Sequence, residues 1–179
     1  MTTRLEAAIL GCKAATLAGK SGYAAAQFIL KLYGYSNKQL GDGVNRIAYS
    51  FGRRFILKTS KRLPLVNNAN ELEAAEIKAG NPDDCIGVLY YDSTTDLLFM
   101  EKAHSIFSLQ KKFSSGRVDV SENVCSGCQD KHKLRAVGIN NPDNCRMCYL
   151  ESNYSDCHTG NVGVTGKGAM VMIDFISND

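Results

Sequence analysis

Three groups of side chains in this sequence combine residue types and spacings that could do chemistry. The first lies in SDCHTGNVGVTGKGAMVMIDF, residues 155–175, which carries Asp156, Asn161 and Asp174. Asn161 precedes and Asp174 follows a stretch that reads as a β-hairpin, and a hairpin brings its two ends together. An acid and a carboxamide so placed can share a hard cation such as Mg2+, which takes oxygen ligands. Asp156, on the preceding loop, would accept a proton from an incoming hydroxyl. The competing reading makes Asp156 and Asn161 turn formers and Asp174 a strand-end cap, and this stretch alone favours neither.

The second group surrounds an earlier hairpin. LGDGVNRIAY offers Gly41 and Gly43, which let a backbone fold over phosphates with its N–H groups exposed, although a lone G-x-G is better explained by a simple turn. FILK puts Lys58 in an otherwise apolar strand, where an ammonium must snorkel or hold an anion. The segment NELEAAEIKAG then presents Glu71, Glu73 and Glu76 as partners for it. Glu73 stands three residues after Asn70, so a capping box is its competing role.

The third group is CSGCQDKHKLRAVGINNPDNCRMC. Cys125, Cys128, Cys145 and Cys148 form C-x2-C-x16-C-x2-C, the spacing of a structural tetrahedral zinc site. Metal-binding energy of this kind can replace a hydrophobic core that a small lobe cannot build. His132 lies between the pairs and is expected to be an exposed polar residue rather than a substitute ligand. Lys131, His132, Lys133 and Arg135 make the loop basic, but with no interleaved aromatics the expectation is a solvated face and not a nucleic-acid surface. Cys12 and Cys85 are expected in the core, and Cys157 in packing beside Asp156.

The elements that must position these groups follow from periodicity and turn signals. Residues 3–18 and 21–33 read as two helices, with Leu5, Ile9 and Cys12, then Phe28 and Leu32, at apolar helical spacing. Ser21 is the expected N-cap of the second helix and Gly34 its stop. RIAYSFGRRFILK reads as a hairpin turning at Gly52-Arg53, and NELEAAEIKAG as a helix capped by Asn70 and ended by Gly80-Asn81-Pro82. CIGVLYYD and DLLFMEKA make a second hairpin, SIFSLQKKF a short helix, and NVGV with AMVMIDF a third hairpin, whereas residues 116–153 show little periodicity. The sum is an α+β fold in one domain or two small lobes. A net charge of +3 and a pI near 8.4 name no nucleic acid and no membrane surface. No apolar run approaches a membrane span, and Glu6 and Lys13 make the N-terminus a poor signal peptide. Seven cysteines, four of them in C-x-x-C pairs, argue for a reducing compartment, so a cytoplasmic location is expected.

Taken in order, Gly41-x-Gly43, Lys58, a helix glutamate, LLFMEKA, Asp156-x4-Asn161 and Asp174-Phe175 resemble the protein-kinase signature set. The variant DCHTGN and the lead-in from Gly34-Tyr35 to AYS are most similar to the kinase-like early proteins of T7-type bacteriophages. The resemblance covers residues 34–103 and 154–176. It implies a truncated protein-kinase-like fold: a helical hairpin over 1–33, an antiparallel N-lobe with helix C over 34–103, and a reduced C-lobe over 104–179. That C-lobe would carry a zinc-ribbon insertion at 125–148 and the catalytic and metal loop at 154–176. In that family's terms Gly41 and Gly43 would cover the ATP phosphates, and Lys58 would hold the α and β phosphates, braced by Glu73. Met100 would back the adenine pocket, with Glu101 to Ala103 as the hinge. Asp156 would be the catalytic base, while Asn161 and Asp174 would hold Mg2+.

The departures from the pattern are specific. Tyr154 stands where the catalytic-loop histidine belongs, Arg46 replaces the third glycine, Asp42 sets a negative charge in the glycine loop, and Ile176 replaces the glycine after Asp-Phe. Five residues follow Asp174, so no activation segment or peptide-seating helices are expected after it. The resemblance thus implies an ATP- and Mg2+-dependent serine/threonine protein kinase of phage type acting on host bacterial proteins in the host cytoplasm. Its alternative is a catalytically silent kinase-like module that inhibits a host protein. Transfer to a small molecule, as by aminoglycoside and choline kinases, would want a large helical second lobe. No nucleic-acid or membrane partner is expected, and self-association stays open.

Overall fold

A computed structural model of the chain describes residues 3–42, 46–61, 69–114, 116–136, 138–139, 142–154 and 157–173. They form two units, one comprising the described residues up to Ala79 with Gly87–Lys102, the other Gly80–Ile86 with the described residues from Ala103 onward. Among the described residues no helix is long and apolar enough to cross a membrane.

The first unit opens with α1 (Arg4–Leu17) and α2 (Gly22–Leu32). A capping box starts α1: the Glu6 amide donates to the Thr3 hydroxyl, and the Thr3 amide donates to the Glu6 carboxylate. The buried face of α1 is made of Ala7, Ala8, Gly11, Cys12 and Ala15, not of the larger residues. Cys12 is buried and Phe28 packs against the core as expected, but Leu5 is 41% and Leu32 52% exposed, so the expected apolar spacing is right at only some of its positions. The reason is close approach. A Cβ on Gly11 would stand 3.1 Å from Ile29 Cγ2, and only small residues let α1 sit that near α2.

Five antiparallel strands follow: β1 (Gln39–Asp42), β2 (Arg46–Phe51), β3 (Phe55–Ser60), β4 (Val88–Asp92) and β5 (Leu97–Glu101), in the order β1-β2-β3-β5-β4. Gly52 takes the left-handed conformation that the β2–β3 turn requires, with φ of 76°. Side chains alternate between faces along each strand. Ile47, Tyr49, Phe51, Leu57, Leu97 and Phe99 therefore share one face, where they join Ala25, Ala26, Ile29 and Leu30 of α2 in one core. Phe51 anchors it edge-on to Phe99, ring centroids 4.9 Å apart.

The opposite face of the sheet receives α3 (Ala69–Ala79), between β3 and β4 in sequence. Asn70 is not its cap. It lies inside the helix, fully buried, and its carboxamide donates to the carbonyl of Asp96 in the β4–β5 turn at 3.0 Å.

The second unit is built of shorter pieces: β6 (His104–Ser105), α4 (Ile106–Lys112), β7 (Val118–Asp119), β8 (Val124–Cys125), α5 (Ser126–His132), β9 (Leu134–Arg135), β10 (Gly138–Ile139), a 3-10 turn at Pro142–Asn144, α6 (Arg146–Asn153), β11 (Val162–Val164) and β12 (Met170–Met172). The β11–β12 hairpin is the one expected from NVGV and AMVMIDF, and β6 adds to its other side. β7 pairs with β9 and β8 with β10, both parallel and two residues long. Elements this short leave no periodic signal, which is why residues 116–153 were unreadable from sequence. Their core gathers Ile106, Val118, Val124, Leu134, Met147, Leu150, Val162 and Met170 with three of the paired cysteines.

Candidate functional site

In the first unit the sheet brings several predicted residues onto one face. Gly41, Ala48, Lys58 and Leu98 are in register across β1, β2, β3 and β5, and Met100 lies on the same face, opposite Ile56. That is the face α3 covers. Lys58 is 7% exposed, and its ammonium donates to Glu73 Oε1 at 2.7 Å. Glu73 is fully buried. Its other oxygen accepts from Arg46 at 2.5 Å. One glutamate thus grips two cations from neighbouring strands, and the capping-box role is not the one it plays. Glu71 is exposed, which resolves the partner of Lys58 in favour of Glu73 over Glu71; the Glu76 side chain lies outside the description. Burying such a set is tolerable only when it is paired this closely.

Met100 is fully buried, Glu101 exposed and Ala103 half-buried. The Glu101 amide donates to the carbonyl of Gly87 at 2.7 Å, and that of Lys102 to the carbonyl of Arg54 at 2.8 Å. Gly41 is exposed. Gly43 lies outside the described residues.

In the second unit Asn161 sits at the foot of β11, and its carbonyl accepts the Ile173 amide at 2.8 Å. The hairpin therefore places Asn161 opposite the residue before Asp174. Asp174 itself, like Asp156, lies outside the described residues. The turn leading into Asn161 is organised by His158, whose carbonyl accepts from the amides of Asn161 and Val162, while the Gly160 amide donates to its Nδ1 at 3.0 Å. A Cβ on Gly160 would come 2.7 Å from His158 Cε1, so a larger residue there would have to push the imidazole aside.

The two C-x-x-C pairs converge. Their four Sγ atoms lie within 4.8 Å of one another, Cys128 and Cys148 at 3.3 Å and Cys125 and Cys148 at 3.8 Å. A tetrahedral ion with bonds of about 2.3 Å to sulfur requires sulfur separations of about 3.8 Å, so the cluster could hold such a metal. Each pair straddles the start of a helix, α5 or α6, and Cys145 Sγ accepts from the amides of Cys125 and Cys148 at 3.3 and 3.5 Å. Thiols this close compete for ionisation. Burial, then the neighbouring sulfurs, pushes Cys128 up, and burial pushes Cys148 up to about 11 against the hydrogen bond from Cys128, with Cys145 and Cys125 adding to the rise. Burial also works against the Cys145 thiolate, but the two amides outweigh it and bring that thiol down to about 7. A divalent cation would remove the conflict by compensating all four sulfurs at once.

Several functional contacts had no clear sequence signal. His132 is 6% exposed, not a surface residue, and its Nε2 lies 2.9 Å from Glu151 Oε1, which also pairs with Lys131. Burial lowers its pKa against the pull of Glu151. With Cys128 and Glu151 it forms a second close donor group beside the four cysteines. Asp84, which the sequence did not single out, is 1% exposed and takes Arg146 on Oδ1 at 2.6 Å, with the hydroxyls of Tyr149 and Tyr154 on Oδ2. Burial alone would raise the Asp84 carboxyl, but Arg146 and the tyrosines hold it below its ordinary value. The signal available was the arginine inside C-R-M-C, one residue past a paired cysteine.

No protein-family model matches the chain, and no curated protein does. Among solved structures, the choline kinase LicA from Streptococcus pneumoniae is similar over 83% of this chain and 67% of its own, at 15% identity and a TM-score of 0.40. So loose a likeness carries no argument, and the functional reading rests on the residues above.

Proposed function

We propose that the chain is a kinase-like phosphotransferase that uses ATP and Mg2+, in which the first unit's sheet binds the nucleotide. The observation that supports this best is the buried Lys58–Glu73 pair running from β3 to α3, on the sheet face that also holds Gly41 and Met100. Phosphoryl transfer asks little covalent chemistry of a protein. It asks for cations fixed in place before the charge moves. Glu73 holds the Lys58 ammonium in direction, and Lys58 neutralises phosphate oxygens. Asn161 and Asp174 supply oxygen donors to Mg2+, which when bound offsets the developing charge. Asp156 receives the proton of the attacking hydroxyl. The acceptor in this reading is a serine or threonine of a host bacterial protein in the host cytoplasm, and the chain is of phage type.

The cysteine cluster, in the same proposal, holds one zinc ion. Four thiolates fill its coordination, leaving no open position for a substrate, so its role is structural. It fixes the second unit, where strands of two and three residues cannot hold themselves together.

A second reading, a catalytically silent module that blocks a host protein, draws on Arg46. This residue replaces a loop glycine of the kinase pattern and puts a second cation on Glu73 beside Lys58. Incubation with γ-labelled ATP and a bacterial lysate separates the two. Labelled bands formed by wild type and absent with Lys58→Met support transfer. Stabilisation by MgATP with no labelled product would favour the silent module.

A further inference from the structure

The first of the two residues between Cys145 and Cys148 does something no zinc ligand can. Arg146 stands directly after Cys145 at the start of α6, its amide donating to the carbonyl of Asn123 at 2.9 Å. Its guanidinium leaves the cysteine cluster altogether. Nη1 goes to Asp84 Oδ1 at 2.6 Å, Nη2 to the carbonyls of Asp83 at 2.7 Å and Met170 at 3.1 Å, and Nε again to Met170 at 3.3 Å. The planar fork thus ties three chain segments, and no flexible ammonium could reproduce that geometry.

The segment it grips is the outer support of β12. β12 is an edge strand of three residues, paired through β11 on one side. On its other side the Met172 amide donates to the carbonyl of Asp84 at 2.7 Å, and the Ile86 amide donates to the carbonyl of Met172 at 3.0 Å. Asp84 therefore faces two ways: its carboxylate takes Arg146, and its backbone takes β12. Asp174 follows β12 by two residues.

We propose that Arg146 and Asp84 are positioning residues that transmit the state of the cysteine centre to β12. Drawing Cys145 and Cys148 onto one ion fixes the first turn of α6 and with it the direction of the guanidinium. Releasing the ion loosens that turn, the fork loses its grip on Asp84 and Met170, and β12 loses its outer support. Metal at one end of the unit thus governs order in the strand that leads to Asp174. The inference rests on the metal-binding part of the proposed function and is independent of nucleotide binding.

The test uses the full chain with Co2+ as probe and no nucleotide. Amide hydrogen exchange at Met172 and Ile86 is followed by NMR with and without the metal, in wild type and in Asp84→Asn, while the sulfur-to-cobalt charge-transfer band reports occupancy. In wild type, metal should slow both amides by about tenfold or more; in Asp84→Asn the same metal should slow them by at least about threefold less than it does in wild type, with the band intact. Arg146→Lys, which keeps the charge and loses the fork, should behave as Asp84→Asn does, and it gives the reading if the aspartate variant does not fold. An equal metal effect in wild type and variant would overturn the proposal, as would protection in wild type that ignores the metal. Absence of the band in wild type would overturn the metal reading beneath it, a failure distinct from a band without altered exchange.

Discussion

Lys58 Nζ and Glu73 Oε1 stand 2.7 Å apart, joining a central strand to the helix that covers it, with the glutamate wholly removed from solvent. Truncating one member of such a pair leaves the other buried and uncompensated. Glu73→Ala strands both Lys58 and Arg46, and should lower the unfolding free energy by about 3–5 kcal/mol. Glu71→Ala, two residues earlier on the exposed side of α3, should change it by less than about 0.5 kcal/mol. Urea unfolding of the two variants checks this, and equal losses would mean that Glu73 is not the buried partner.

Asp96 predicts a dependence of stability on pH. It sits in the β4–β5 turn with φ of 52°, 1% exposed, accepting the Ser60 hydroxyl on Oδ2 at 2.6 Å. Its Oδ1 and the Oδ1 of Asn70 are both buried without a donor among the described residues. Burial raises its pKa above the ordinary value of 3.8, outweighing the hydrogen bonds from Ser60 and Asn70 and the attraction of Arg46. A raised acid binds more protons folded than unfolded, so its contribution is fully present below the unfolded value and is lost as pH climbs through the folded one. Asp96→Asn, which tolerates the left-handed backbone and puts an N–H among acceptors, should be more stable than wild type at pH 7 by about 1 kcal/mol. That advantage should shrink as pH falls from 7 toward 4, because the folded wild-type carboxyl takes up its proton above the ordinary value. Thermal or urea unfolding across that range measures it; an advantage that grows in acid would contradict the sign.

The turn before Asn161 should fail in a way that can be rescued. Gly160→Ala drives a methyl into the His158 ring, at 2.7 Å from Cε1, whereas Gly166 has nothing within 4 Å of the same position. Gly160→Ala should therefore cost about 1–3 kcal/mol, and Gly166→Ala only the change in backbone freedom. In the double variant His158→Ala, Gly160→Ala, the loss should be smaller than the sum of the single losses, because the clash has been removed. A strictly additive double variant would show that the imidazole is not the obstacle.

Much of the first unit was legible because its strands alternate and its turns carry glycine. Both sheet hairpins lie where RIAYSFGRRFILK and CIGVLYYD–DLLFMEKA put them, and Glu73 was among the partners named for Lys58. What failed there failed for packing reasons. Leu5 and Leu32 follow helical spacing, but the α1–α2 contact selects small residues, and Asn70 looked like a cap because no local signal told of Asp96 twenty-six residues away. In the second unit the cysteine pattern was legible because two C-x-x-C pairs are a spacing that readily converges, and their four sulfurs do lie together. Asp84–Arg146 and His132–Glu151 were not, since each joins residues far apart in the chain through side chains whose types occur commonly on surfaces.

Metal removal should be costly. If the four cysteines hold one zinc ion, its binding free energy is also folding free energy for the second unit. Prolonged chelation should lower the melting temperature by more than about 10 °C and release one zinc per chain, and Cys128→Ser should lose the ion and the stability together. Elemental analysis and a thermal scan are sufficient. A purified chain with no metal and an unchanged melting temperature after chelation would remove the zinc from the account.

The most direct test of the central claim is calorimetric titration of MgATP into wild type and into Lys58→Met, a variant that keeps the stem of the side chain and removes its charge. The account predicts saturable one-to-one binding by wild type and an affinity weakened by about tenfold or more in the variant. Equal affinity in the two proteins, or no binding to a wild-type chain that is folded and metal-loaded, would contradict it.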